Sequence, residues 1–363
     1  MHILPLETLR IVRDVDVSRV TFNRCFRYYL LCEEPSYKAR NIEQLLTVPD
    51  DEPVAIVVLP AVGRGQLRDD GLRRWLSRAT LRRNEDPTEL LADVLGRLNL
   101  PCPDQGQGAL RMWGQTGDRP TVWIAAADPV HLEPRLDRVF LHALSQAQAP
   151  AADMRPLFDH LQRQLQDDTS LGFARLGSCG YLRANKAMAT ASVPAYVLDL
   201  KTPTEYMPSG DDAGGYRNLR SEIEMALHDH EVNLRREEQG QFPVNSLWLW
   251  GGGLAPEQET VQLPPLFAND PLLKGHWFSK TGYAGAWPGS IADCIKNSEA
   301  GFVAVTPDAG DSDLLERCLH ELRQAMRSGR LSRLTLIFRD GIRADRRRLH
   351  ALRIWRRPSA MLN

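Results

Sequence analysis

The sequence predicts an α/β fold with a doubly wound, predominantly parallel sheet and an inserted or appended smaller subdomain. Three observations point there. Short apolar runs rich in β-branched residues recur along the chain, among them VAIVVL at 54–59, GFVAVT at 301–306 and LSRLTLIF at 331–338. Their length and composition suit strands buried on both faces. Segments with helical spacing separate them, and strand–loop–helix order implies parallel crossovers. Glycines follow some of the runs directly, as at Gly63 and Gly65 or Gly251 to Gly253.

Taken in order, residues 1–50 interleave apolar and charged side chains and read as helical. VAIVVL is the first buried strand, ended by Pro60, and residues 61–81 read as a loop and then a helix. Residues 100–120, rich in Pro, Gly and Gln, are expected to be a loop or linker. TVWIAAADPVHL opens with a second buried strand, followed by helices at 133–147 and 153–167. Further strands are expected around 174–183 and at 195–200 (AYVLDL), then a surface loop at 202–215. In the segment 216–238, Leu219, Ile223, Leu227, His230 and Leu234 recur at helical spacing, which predicts one helix with one apolar face, stopped by Gly240 and Pro243. NSLWLW at 245–250 is a strand, and a helix at 311–328 lies between the strands GFVAVT and LTLIF. All five main runs are expected in one sheet.

Composition sets outer limits. The chain has 363 residues, 25% charged and 43% hydrophobic, with a net charge of −1. That balance is ordinary for a globular protein and argues against a general nucleic-acid or membrane-surface binder. No apolar run approaches the roughly 18 residues of a membrane span. The first twenty residues mix acidic and basic side chains without an apolar signal core, so a cytoplasmic chain is expected. Six cysteines occur with no C-x-x-C pair, which predicts reduced, mostly buried thiols and no zinc site.

Three segments carry a family resemblance. HDHEVNLRREEQGQFPVNSLWLWGGGLAP, from His228 to Pro256, and AADPVHLEPRLDRVFL, from Ala126 to Leu141, resemble signatures of the bacterial RpfE-type regulatory proteins. The third is the end of the chain, where a strand leads into an Arg-rich segment and WRRP. NSLWLWGGGLAP also resembles the W-x-W-G-x-G-x-x-P segment of archaeal-type, metal-dependent phosphoglycerate mutases, members of the alkaline-phosphatase-like superfamily. That resemblance implies a doubly wound sheet with an inserted substrate domain, and in the mutases two divalent cations held by Asp and His at strand ends. Here the expected positions differ. Pro60 and Ala61 follow the first strand, Pro307 to Asp311 contain no histidine after GFVAVT, and Asp340 precedes Gly341 where Asp-His would stand. The expectation is a catalytically degenerate, mutase-like protein that acts in regulation by binding a small molecule or a partner. The alternatives are a metal-dependent phosphomutase or phosphohydrolase, and an interaction protein using its Arg-rich end. The expected organisation is an N-terminal α/β region over 1–121 and the family-like region over 122–363, or one continuous domain.

Candidate binding residues follow from strand ends, where α/β sheets place ligands. Asp128 and His131 follow WIAAA, and Asn245, Trp250 and Gly252 belong to the NSLWLWGGG run. His230 and Asn233 lie on the preceding helix. The expectation is that the three segments converge on one polar pocket. The alternatives are a turn or cap at Asp128, a core histidine at His230 and core tryptophans at 248 and 250. From Arg339 to Arg357 stand eight arginines and two aspartates, either a solvated face or an anion or partner contact through Arg346, Arg347 and Arg348. This segment is the one place where nucleic acid stays open as a partner. Gly63-Arg64-Gly65 lacks the third glycine of a dinucleotide loop, and no cofactor or metal is expected.

Overall fold

The computed structural model describes residues 54–362, apart from 64, 85–87, 165–169, 211–212, 299–300, 309–311, 354 and 358. The expectation for residues 1–50 lies outside them.

The first part of the chain runs β1 (Val54–Leu59), α1 (Asp70–Ser77), β2 (Thr80–Arg83), α2 (Leu90–Arg97) and α3 (Gln107–Thr116). The middle part holds β3 (Trp123–Arg135), β4 (Arg138–Ala143), α4 (Ala151–Gln164), β5 (Leu171–Leu176), β6 (Cys179–Ala184), α5 (Ala213–His228), α6 (Glu231–Glu238) and β7 (Ser246–Gly253). The last part holds β8 (Leu266–Phe267), α7 (Pro271–Thr281), α8 (Ile291–Lys296), β9 (Gly301–Val305), α9 (Ser312–Ser328), β10 (Arg333–Phe338) and β11 (Ile342–Arg347).

Two sheets result. The first has the order β2-β11-β10-β1-β9-β8, with β10, β1, β9 and β8 parallel, β11 antiparallel to β10, and β2 antiparallel to β11 at the edge. β1 is central because its six apolar residues can be buried on both faces. Ala55, Val57 and Leu59 meet α1 and α9 on one side, while Ile56 and Val58 meet α2, α3 and α7 on the other. Helices on both faces of a mainly parallel sheet make this the doubly wound fold the sequence predicts.

The second sheet corrects one expectation. TVWIAA and NSLWLW are strands, β3 and β7, but they pair antiparallel with each other outside the first sheet. β3 also pairs with β4 and β6, and β5 extends the sheet beyond β6. The inner face of this sheet, with Ile124, Ala126, Trp248 and Trp250, packs on the layer of α2, α3 and α7. Its outer face, with Ala125, Ala127, Leu247 and Leu249, is covered by α4 and α5. Being buried on both faces, β3 and β7 carry the same unbroken apolar run as parallel strands, so composition could not separate the sheets. In sequence, the second sheet is inserted between strands of the first: the chain leaves after β2, builds residues 123–253, and returns at β8. Sequence position 121/122 therefore lies just before the insertion, and residues on both sides of it share the first sheet.

Other corrections are local. The helix expected at 133–147 is the β3–β4 hairpin, turning at Leu136 and Asp137, because Val139 and Phe140 pair with Pro134 and Glu133. The loop expected at 100–120 contains α3. The strand expected at 195–200 is a 3-10 turn at Ala195–Leu198, and the one at 174–183 is the β5–β6 hairpin. The helix expected over 216–238 breaks at His230, so Leu219, Ile223 and Leu227 are buried together while Leu234 is exposed.

Candidate functional site

The candidates from sequence divide between the two faces of the second sheet. Asp128 and Trp250 point to the inner face. His131, His230 and Asn233 belong with the outer face and its helices. The structure therefore does not bring Asp128 and His230 into one pocket.

The outer-face residues are occupied by the backbone around them. His230 is the N-cap of α6, its Nδ1 accepting from Val232 N at 3.2 Å. Its ring stands edge-on to His160 at 5.0 Å, and burial, then His160, lowers its pKa. Asn233 is 1% exposed; its amide donates to Leu227 O and Val244 O and accepts from Val244 N. Asn245 bonds both backbone groups of Leu132, extending the β3–β7 ladder with a side chain. The His131 ring stacks on Phe242 at 4.8 Å with Nδ1 3.1 Å from Pro243 O, and burial lowers its pKa. Gly252 sits against the Trp123 ring, where a Cβ would come within 2.3 Å, and its N–H donates to Thr190 Oγ1.

The inner face holds a polar network that the sequence reading saw only in part. Arg111 of α3 donates to Asp128 Oδ1 at 2.5 Å and to Gly180 O at 2.7 Å. Trp250 Nε1 donates to Asp128 Oδ2 at 2.7 Å, and the guanidinium lies over the rings of Tyr181 and Trp250. Burial works to lower the Arg111 pKa, but the Asp128 carboxylate outweighs it and raises it. Asp128 is thus the counter-charge of a buried cation.

At the carboxyl edge of the first sheet, the strand ends meet side chains from α2, α3 and α7. Asp340, after β10, accepts from Val62 N and Gly63 N at 3.1 and 2.8 Å. This consumes one oxygen and turns the Gly63 amide toward protein. Arg339 donates to Thr306 O at 3.0 Å and lies 3.5 Å from Asp308. Among the described residues no group of three His, Cys, Asp or Glu can hold a metal ion. Asp340 Oδ1 is buried without a hydrogen-bond partner.

Sequence reasoning missed the acids of this edge. Glu89, 8% exposed, accepts from Gln107 Nε2 at 3.3 Å. Glu89 Oε1 and Gln107 Oε1 are buried without a partner. Burial pushes the Glu89 carboxyl up to about 7, with Asp270 adding to it. Asp270 caps α7 by accepting from Leu273 N, and burial raises its pKa too. The Tyr196 hydroxyl accepts from Leu90 N and senses Glu89, Asp270 and Arg339. Two carboxyls that burial holds toward their neutral forms, with the Arg339 charge acting on Asp270, make this edge the candidate binding or catalytic site. Asp270-Pro271 was readable as a helix start; nothing near Glu89 in sequence marks it.

Close packing sets the position of this edge. Helices α3 and α7 cross where a Cβ on Gly114 or Gly275 would come within 1.8 Å of the other helix's backbone. That contact holds Gln107 and Asp270 at fixed ends of adjacent helices. The last group of candidates lies elsewhere: Arg346 is buried, and Arg347 and Arg348 are exposed on the way out of β11.

No family model matches the chain. It is 37% identical over 73 residues to a 2,3-bisphosphoglycerate-independent phosphoglycerate mutase of Methanosarcina barkeri, covering 20% of this chain and 18% of that protein. It is 27% identical over 137 residues to a probable mutase of the same description from Geobacter sulfurreducens, covering 35% and 32%. The chain thus spans about a fifth of the length of the first of these relatives. Among solved structures, a cofactor-independent phosphoglycerate mutase from Thermoplasma acidophilum aligns with a TM-score of 0.37 at 15% identity, over 81% of this chain and 89% of that one. The PH0037 protein from Pyrococcus horikoshii aligns with a TM-score of 0.45 at 12% identity, over 81% and 87%.

Proposed function

We propose that this chain is a phosphoglycerate-mutase-like protein that binds a small anionic molecule at the carboxyl edge of its first sheet, without two-metal phosphoryl transfer. Arg339 carries the reading. It occupies the strand-end position with Asp308 and Thr306, while Asp340 is tied to the backbone after β1. A fixed guanidinium recognises a carboxylate or phosphate without a cation. The neutral-leaning Glu89 and Asp270 can donate to such a ligand where ionised carboxylates would repel it. The RpfE-type resemblance supplies the setting, regulation through binding.

Titration calorimetry with 3-phosphoglycerate, with and without chelator, tests this. Binding that survives chelation and weakens at least about tenfold in Arg339→Met supports it. Binding that needs added manganese or zinc, or that Arg339→Met leaves intact, contradicts it.

A further inference from the structure

We propose that the guanidinium cluster of Arg78, Arg323, Arg346 and Arg353 binds an oligophosphate group. The site lies at the β2 end of the first sheet, independent of the carboxyl-edge reading. Its side chains come from four places: the end of α1, the middle of α9, β11 and the turn that follows β11.

Arg346 is the anchor. It is 4% exposed, donates to Trp75 O at 2.7 Å and lies 4.7 Å over the Trp75 ring. Burial first, and then the cationic Arg78, Arg323 and Arg353, push its pKa down to about 10. Arg323 is likewise lowered by burial, then by Arg327 and Arg78. The acid facing it is Asp69, which already accepts from Leu72 N and pairs with His320 at 3.2 Å. Among the described residues, none of Arg78, Arg323, Arg346 and Arg353 lies within 4.0 Å of a carboxylate. Arg323 Nε and the neighbouring His350 Nδ1 are buried without hydrogen-bond partners.

A structural role explains part of this. Arg346, Arg353 and Arg356 donate to the carbonyls of Trp75, Arg78 and Ala79, which lie at and just after the end of α1. Cations belong at such carbonyls. But each contact uses one of a guanidinium's five N–H groups. It also leaves like charges crowded beside a buried cation, a costly arrangement unless an anion joins it. A monovalent ion is too small a counter-charge for four guanidiniums. An oligophosphate offers several charges and pairs of oxygens that match the guanidinium fork. Trp355, 74% exposed beside Arg353 and Arg356, could stack a base if the phosphates belong to a nucleotide.

The probe is inorganic triphosphate, titrated into the full chain by calorimetry at low and moderate salt, with a nucleoside triphosphate and a single-stranded oligonucleotide as parallel arms. The expected result is saturable triphosphate binding that weakens with salt and raises the melting temperature. Arg323→Gln and the double variant Arg78→Gln/Arg323→Gln should weaken it at least about tenfold with unchanged circular dichroism. Arg138→Gln, on the distant β3–β4 hairpin, should not. Tighter binding of the nucleotide, lost in Trp355→Ala, would assign the phosphates to a nucleotide; equal binding assigns them to free oligophosphate. Absence of saturable triphosphate binding, equal binding in Arg323→Gln, or binding of the oligonucleotide alone overturns the proposal.

Discussion

At the scale of single residues, the side chains chosen for binding mostly hold the fold together. Asn233 satisfies three backbone groups in a buried place, so Asn233→Ala should destabilise the protein by roughly 1–3 kcal/mol in urea denaturation. A loss near zero would mean the amide faces water. Asp128→Ala should cost more, roughly 3–5 kcal/mol, because it strands the buried Arg111 charge. Glu89 gives a pH signature. Its folded pKa of about 7 lies above the ordinary 4.5, so between these values the folded state holds a proton that the unfolded state releases. Stability from this group is therefore full below pH 4.5 and is lost as pH rises through about 7. Thermal melts should show Glu89→Gln gaining on the wild type across that window; parallel pH profiles would show that Glu89 ionises normally. None of this was legible beforehand. Residue type and proximity to a strand end mark Asp128 and Asn233 as candidates, but whether a polar group faces solvent or a carbonyl is decided by segments distant in sequence, as Gly180 O decides for Arg111.

At the scale of elements, reading succeeded where burial leaves a one-dimensional pattern. β1, β9 and β10 carry apolar runs because both their faces are covered, and α9 and α4 carry periodic stripes. It failed at α3, whose Gly108, Gly114 and glutamines argue against a helix on propensity alone. Those glycines are there for packing: Gly108 lies on the backbone of β3, and Gly114 faces Gly275 of α7. Gly114→Ala should therefore lose roughly 1–3 kcal/mol or more by overpacking, although Ala is the better helix former. A stability gain in denaturant titration would show that the two helices can separate freely. The break between α5 and α6 was missed for a related reason: His230 acts as a cap, while its spacing fits an uninterrupted stripe.

At the scale of the whole molecule, the fold class and the presence of a smaller subdomain were legible, whereas the division into two sheets was not. Strand direction is set by connections and neighbours. β3 and β7 are as apolar as β1, and only their antiparallel pairing inside the insertion distinguishes them. The resemblance to phosphoglycerate mutases agrees with partial identity to such enzymes. At the carboxyl edge of the first sheet, Arg339 bonds Thr306 O and Asp340 bonds the backbone after β1, the contacts on which the proposed binding site rests. Whether this mutase-like scaffold binds without two-metal chemistry, as proposed, is tested most directly by interconversion of 3- and 2-phosphoglycerate by the purified chain, before and after chelation, with metal content determined on the same sample. No stoichiometric manganese or zinc and no turnover are expected in either state. Two metals per chain, with turnover that chelation abolishes and manganese restores, would contradict it.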